Sequence, residues 1–521
     1  MLDETTASKH WYDSRRGKLT ASLLILLLAG GAIYFVLAAR KTSRAEAHYD
    51  ALEQHRAAQS QNAPTGDAAQ PVQVAAQPPS ASGAEASPNA SQGQPTAVVS
   101  NAVQPETSAA AAPAANAQAP AGGSTQSKAQ APAPVSRRNY WTSFRGPRQD
   151  GRYDEQPVKT NWGSAGPPLL WRQPVGGGYA SFSVADGVAY TIEQRRGEEV
   201  VTAYQVENGR ELWKHGWNAL YTDSTGDGPR ATPAWDEGRL YALGALGELR
   251  CLDAKTGKLI WNRNILSDNG AENIPWAMSA SPLVVDDKVI VIPGGSGGKS
   301  IVAYNKMTGA PVWKTLSDRA SYTSPMLVNL AGRRQVLVVT AQRAAGLVPE
   351  TGAVLWEYPW TNSLGINVAQ PIVVGQNRFF ISAGYGKGAA LVEVTGSGQN
   401  YTARTVWENT SMKNKFNSSV LHEGHVYGLD EGILTCVEAA TGARKWKGGR
   451  YGYGQVVVAS GHLIITSEQG EVVLVKATPE QHTEVARFPA LEGRTWNNPA
   501  IAGGRLFVRN ATQMACYKLT D

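Results

Sequence analysis

The sequence predicts an all-β protein: an eight-bladed β-propeller closed by an N-terminal strand, preceded by one transmembrane helix and a disordered linker. Three observations carry this reading. A tryptophan recurs at intervals of about 39–52 residues between Tyr140 and Asp521, a period that belongs to propellers and solenoids. Each interval holds hairpins of alternating apolar residues instead of the 3.6-residue stripes of a helical solenoid. The first of these tryptophans has no strands before it, whereas three strands near Asp521 have no outer partner.

The chain of 521 residues exceeds one ordinary core, which stops growing near roughly 250–300 residues, so an array of small sheets accounts for the length. It opens with a polar segment, residues 1–18. Residues 19–39 (LTASLLILLLAGGAIYFVLAA) follow without a charge, and as a helix they reach ~31 Å, enough to cross a ~30 Å hydrocarbon core. Lys9, Arg15, Arg16 and Lys18 precede this run, and Arg40, Lys41 and Arg44 follow it, so charge leans only slightly toward an N-terminus in the cytoplasm. The apolar run is longer than the core of a cleaved leader, which reads as an uncleaved signal anchor.

Residues 40–138 read as a linker. From about Ala57 to Ser136 they are Ala, Pro, Gln, Ser, Gly and Asn, with too little apolar surface to offset the entropy of ordering. Some 80 residues of such coil separate their ends by ~50 Å.

Residues 139–521 are the propeller. The repeat ends in a turn and an outer strand: AYQVENGRELW (Ala203 to Trp213), CLDAKTGKLIW (Cys251 to Trp261), AYNKMTGAPVW (Ala303 to Trp313), LVPETGAVLW (Leu347 to Trp356) and CVEAATGARKW (Cys436 to Trp446). Trp171, Trp213, Trp261, Trp313, Trp356, Trp407 and Trp446, then Phe488, mark eight outer strands. Each copy begins with a hairpin such as TPAWDEGRLYALGA, SPLVVDDKVIVIPGG, QPIVVGQNRFFISAG or NPAIAGGRLFVRN. The three strands missing before Trp171 are found at 496–502, 505–510 and 514–519, so the strand around Leu169 to Gln173 is expected to close the ring and remove free sheet edges. In each copy the indole is expected to cover the next blade and donate to a turn carbonyl, while the turn Gly supplies a positive φ.

The consensus A-x-D-x-x-T-G-x-x-x-W resembles the pyrroloquinoline quinone (PQQ) repeat of the quinoprotein alcohol dehydrogenase-like superfamily. Trp141 to Pro147, with Asp150-Gly151, is similar to the opening of exported bacterial propellers of that type. The resemblance implies an eight-bladed periplasmic propeller, and the superfamily spans PQQ-dependent dehydrogenases and the envelope assembly factor BamB. Its dehydrogenases set an adjacent Cys-Cys disulfide against PQQ and use calcium; here Cys251, Cys436 and Cys516 stand singly. PQQ with calcium is therefore unsupported by these hallmarks, and no metal site is expected.

The longest connections between blades are expected to gather at one mouth of the central channel. There they place Arg230, Trp276, Asn367, Lys415, Asn417, Glu431, Arg494 and Trp496, a polar, aromatic and basic set suited to an anionic or planar ligand or an acidic peptide. The structural alternative is a water-filled channel whose strand ends these residues satisfy. Asp223 to Gly228 has part of a calcium-loop spacing but lacks its terminal Glu, which favours a polar loop. The net charge of +6 is dispersed without a basic stripe, so nucleic acid is not an expected partner.

The functional expectation is a binding or scaffolding module of the cell envelope with an envelope protein or peptide as partner. It is expected to be anchored once in the bacterial inner membrane, with the propeller facing the periplasm. The alternatives are a PQQ-dependent alcohol dehydrogenase-like enzyme and a BamB-like outer-membrane assembly factor.

Overall fold

A computed structural model describes residues 45–59, 61 and 140–521. Among them, eight sheets form eight blades in chain order. Blade 1 is Ser183–Ala185, Val188–Arg195, Glu198–Gln205 and Glu211–Asn218, all antiparallel. Its middle strands are buried almost throughout while the outer strand alternates toward solvent, as expected for sheets stacked face to face.

The ring closes as the sequence predicts. Leu169–Pro174 is the outer strand of blade 8, paired with Gln513–Lys518 so that Trp171 faces Cys516. N- and C-terminal parts of the propeller therefore share one sheet, which closes the ring.

The tryptophans pin blade to blade. The indole Nε1 of Trp171 donates to Val206 O at 2.8 Å, Trp213 to Ala254 O at 3.1 Å, Trp261 to Lys306 O at 3.0 Å and Trp313 to Pro349 O at 3.0 Å. Trp407 and Trp446 repeat the bond to Ala439 O and Thr478 O. Gly257, at φ 71°, lies so close over Trp213 that a Cβ there would come within 2.5 Å of the ring. Trp356 departs from the pattern and donates to Gln335 Oε1 of its own blade. The cause is local: in blade 5 the strands Gly388–Ser397 and Asn400–Asn409 run on past the usual turn, so Val394, which holds the place of the receiving turn residue, lies inside the ladder opposite Ala403.

A second ring of bonds runs round the inner strands. Ser181 N donates to Thr232 Oγ1, Thr232 N to Ser281 Oγ, Ser281 N to Ser324 Oγ, Ser324 N to Gln370 Oε1 and Gln370 N to Ser418 Oγ, each at 2.8–3.0 Å. Ser181 Oγ donates to Asn498 O across the closure between blades 8 and 1. Every donor and acceptor here is buried, so the belt satisfies the first backbone N–H of successive blades where no water reaches.

The segment that opens the propeller fills the channel below this belt. Trp141 bridges Val184 of blade 1, Thr142 O receives Trp235 N of blade 2, and Gln149 donates to Pro325 O of blade 4. Arg145, 1% exposed, donates to Ser419 O at 2.6 Å and Val456 O at 3.2 Å. Arg152–Tyr153 then pairs in parallel with Gln455–Ala459 as an extra innermost strand of blade 7. The channel is thus plugged by protein at this level.

Residues 45–59 fall within the stretch read as linker, and they form a helix packed on the propeller. Apart from residue 61, the rest of that stretch lies outside the described residues, as do residues 1–18 and 19–39. No helix among the described residues is long and apolar enough to cross a membrane.

Candidate ligand and partner site at the channel mouth

Each connection between blades leaves an outer strand, climbs over the sheet and drops to the next inner strand. Seven of the eight deliver an aromatic ring to the mouth: Tyr179, Tyr221, Trp276, Tyr322, Phe416, Tyr453 and Trp496, all half-buried. Their rings touch across blades. Tyr179 stacks on Trp496 at 5.5 Å, Phe416 lies 5.3 Å from Trp496 and 4.9 Å from Tyr453, and Trp276 lies 5.8 Å from Tyr322. Tyr221 links the two groups: its hydroxyl donates to Pro275 O beside Trp276, and Arg230 lies over both its ring and that of Tyr179. The eighth connection turns its ring inward: Trp360 is fully buried.

Cations lie over these rings. Arg230 sits 4.6 Å from the Tyr221 centroid and 5.4 Å from Tyr179, and Arg494 sits 4.4 Å above Trp496. The Lys415 ammonium lies 5.2–5.4 Å from Tyr385, Phe416 and Tyr453, a three-ring cage around one charge. Arg230 is paired with Asp223 at 2.7 Å, but among the described residues neither Lys415 nor Arg494 makes an ion pair. Burial lowers Arg145 to about 10, so it stays charged at neutral pH and adds its field beneath the mouth. Burial also pushes Tyr385 up to about 12, keeping its hydroxyl a neutral donor. The arrangement can hold an extended or planar group by its faces while its rim attracts negative charge.

The residues named from sequence divide into three groups. Arg230, Trp276, Lys415, Arg494 and Trp496 stand in the aromatic mouth. Asn367 and Asn417 are buried beneath it: Asn367 O receives Ser321 Oγ and Thr323 Oγ1 while its amide donates to Thr340 O, and Asn417 Oδ1 receives Asn414 Nδ2. Glu431 is exposed on a hairpin further out, lining a cleft of ≈ 560 Å³ with Arg450, Glu468 and Arg487. Sequence reasoning missed Tyr179, Tyr221, Tyr385, Phe416 and Arg145. Setting the connections side by side shows the aromatic in nearly every one; nothing in the sequence marks Arg145 as the plug.

PQQ and calcium can be tested on the donors present. Cys251, Cys436 and Cys516 are buried in three different blades and form no disulfide, and burial pushes their thiols to about 12, about 11 and about 12. No group of three or more His, Cys, Asp or Glu able to hold a metal occurs among the described residues. The carboxylates near the mouth are already engaged. Glu468 receives Trp496 Nε1 and Tyr453 N, Asp430 receives Lys413 N and faces Lys447, and Asp223 folds its own loop by receiving Thr225 N and Gly226 N. In that loop the Arg230 guanidinium takes the place a cation would need. These residues do not fit calcium with PQQ.

The family model for outer membrane protein assembly factor BamB matches residues 197–448. The chain is 32% identical over 121 residues to 1-butanol dehydrogenase (cytochrome c) of Thauera butanivorans, covering 22% of this chain and 16% of that enzyme. It is 23% identical over 255 residues to the BamB of Burkholderia pseudomallei, covering 47% of this chain and 59% of that protein. The chain thus spans between a sixth and three fifths of the length of these curated relatives. The solved quinohemoprotein alcohol dehydrogenase ADHIIG of Pseudomonas putida shares the fold at a TM-score of 0.53 and 14% identity, over 74% of this chain and 81% of that one. With its eight blades and its repeated Trp-to-turn bond, the chain is a PQQ-like β-propeller repeat protein.

Proposed function

We propose that this protein is a binding or scaffolding module of the cell envelope, tethered through residues 19–39, with the aromatic mouth as its docking site. The observation that carries the reading is the mouth itself: aromatic rings from seven connections, two cations over them that make no ion pair among the described residues, and a plugged floor with Arg145 beneath. A cup of this kind suits an acidic, extended peptide segment of an envelope protein, which would lay its backbone over the rings and its carboxylates against Lys415 and Arg494. Fold alone does not select an activity, and relatives of both kinds, dehydrogenase and assembly factor, are found.

Crosslinking in intact cells tests this. The full chain should recover an envelope protein, and Lys415→Glu with Arg494→Glu should lose it at least tenfold while the propeller melts as before. Recovery unchanged by that variant would overturn the mouth as the site. Purified protein reconstituted with PQQ and calcium that oxidises alcohols with a dye acceptor would favour the dehydrogenase reading instead. A reporter fused after Asp521 should be active only in the periplasm.

A further inference from the structure

The helix of residues 45–59 lies along the seam where blade 8 meets blade 1. Its inward stripe is His48, Tyr49, Leu52, His55, Arg56 and Gln59, spaced by three and four residues as one helix face. Only Leu52 and Arg56 are buried, so the stripe is mostly polar. His48 Nε2 donates to Val175 O at 2.8 Å, and His55 bonds Gln173. Arg56 donates to Pro174 O at 2.7 Å and to the Tyr204 hydroxyl at 3.4 Å. Val175, Gln173 and Pro174 belong to or follow the outer strand of blade 8, while Tyr204 belongs to blade 1, so the helix spans both. On its outer flank, Arg196 at a hairpin tip of blade 1 pairs with Glu46, with Asp50 at 2.6 Å and with Glu53 at 3.3 Å. Those three acids fall on one side of the helix at intervals of four and three residues.

A helix of this length is marginal on its own, so its folding depends on docking. One buried leucine supplies little apolar burial, and the Arg196 pairs are exposed and screened by salt. The firmest hold is Arg56, which also pairs with Glu211 of blade 1 at 3.4 Å and lies over the Tyr204 ring at 4.9 Å. The contact is specific in its pairing and rests on polar groups with little apolar burial. We propose that the seam is a helix-docking groove whose occupant is this chain's own residues 45–59, and that the docked helix is a releasable latch. Closed, it ties the closure of the ring to a segment only a few residues beyond 19–39. Open, the whole stretch that composition reads as linker would be the tether, with the ~50 Å reach expected of such a coil. The latch rests on these contacts and not on ligand binding at the mouth; only its reach depends on the anchor.

Hydrogen exchange on the full chain tests it. Amides of 45–59 should be protected at low salt, and Arg196→Glu should speed their exchange at least tenfold with blade amides unchanged. Adding Glu46→Arg, Asp50→Arg and Glu53→Arg to that variant should restore protection. Exchange of 45–59 at unstructured rates in the unaltered chain would overturn the latch, as would protection indifferent to Arg196→Glu. Failure of the compensated variant would overturn the assigned pairing. Protection lost on dilution would give the helix to a second copy and exclude a latch within one chain.

Discussion

The backbone N–H of Ser281 donates to the hydroxyl of Ser324 at 2.8 Å, although the two residues open different blades. The bond is one link in the belt that runs from Ser181 to Ser418, and it holds neighbouring inner strands in one register. Ser324→Ala removes the acceptor and leaves a buried N–H unpaired, at a cost of about 1–3 kcal/mol. Urea midpoints of the two proteins measure this, and an unchanged midpoint would refute the belt as a stabilising feature.

The outer ring makes a paired prediction. Gly257 and Gly238 both have positive φ, 71° and 77°, but a Cβ at Gly257 meets Trp213 at 2.5 Å whereas one at Gly238 meets nothing within 4 Å. Gly238→Ala should cost about 1 kcal/mol through backbone strain alone, and Gly257→Ala about 2–3 kcal/mol because the indole must also shift. Equal losses would show that the Trp contact carries no strain.

Arg145 lies under the mouth and bonds the carbonyls of blades 6 and 7. Arg145→Met fills much of the same space but leaves Ser419 O and Val456 O without that donor, so the stability measured by urea denaturation should fall by about 3 kcal/mol. A far smaller loss would mean that the plug contributes packing without its hydrogen bonds.

Glu199, buried between blades 1 and 2, receives Ala245 N at 2.7 Å. Burial raises its carboxyl from 4.5 to about 7. Between those values the folded chain binds the proton more tightly than the unfolded chain. The stability this group contributes is therefore full below pH 4.5 and falls as pH rises toward 7. Glu199→Gln keeps an acceptor for Ala245 and cannot ionise, so it should be near neutral at pH 4 and stabilising by about 2 kcal/mol at pH 8. Denaturation midpoints at the two pH values check this; an equal shift at both would refute it.

Much of the ring is legible in the chain because its determinants are local and repeated. The Thr-Gly or Asn-Gly turn four residues before Trp213, Trp261, Trp313, Trp356 and Trp446 specifies a corner and an outer strand together, and eight copies with a split last blade specify closure. Even the belt has a written signal: Ser, Thr, Gln or Asn stands at the head of the inner strands, as in TPAW, SPLV, QPIV and NPAI. The mouth was legible in part. Trp496 and Lys415 fall in long connections, but Asn367 and Asn417 look equally polar there, and only the fold shows both buried, the Asn367 amide donating to Thr340 O at a strand end and Asn417 Oδ1 receiving Asn414 Nδ2 within its own connection.

The sequence by itself determined the number of blades, the closing strand and the position of the pinning tryptophans, since each follows from spacing within one repeat. Tertiary structure alone decided what fills the channel and what covers the seam. Arg145 acquires its partners from Ser419 and Val456, more than 270 residues away, and residues 45–59 become a helix against Val175, Pro174 and Tyr204. Such contacts leave no period in the chain, because a buried guanidinium and a polar helix face are stable only where distant strands have already placed their carbonyls.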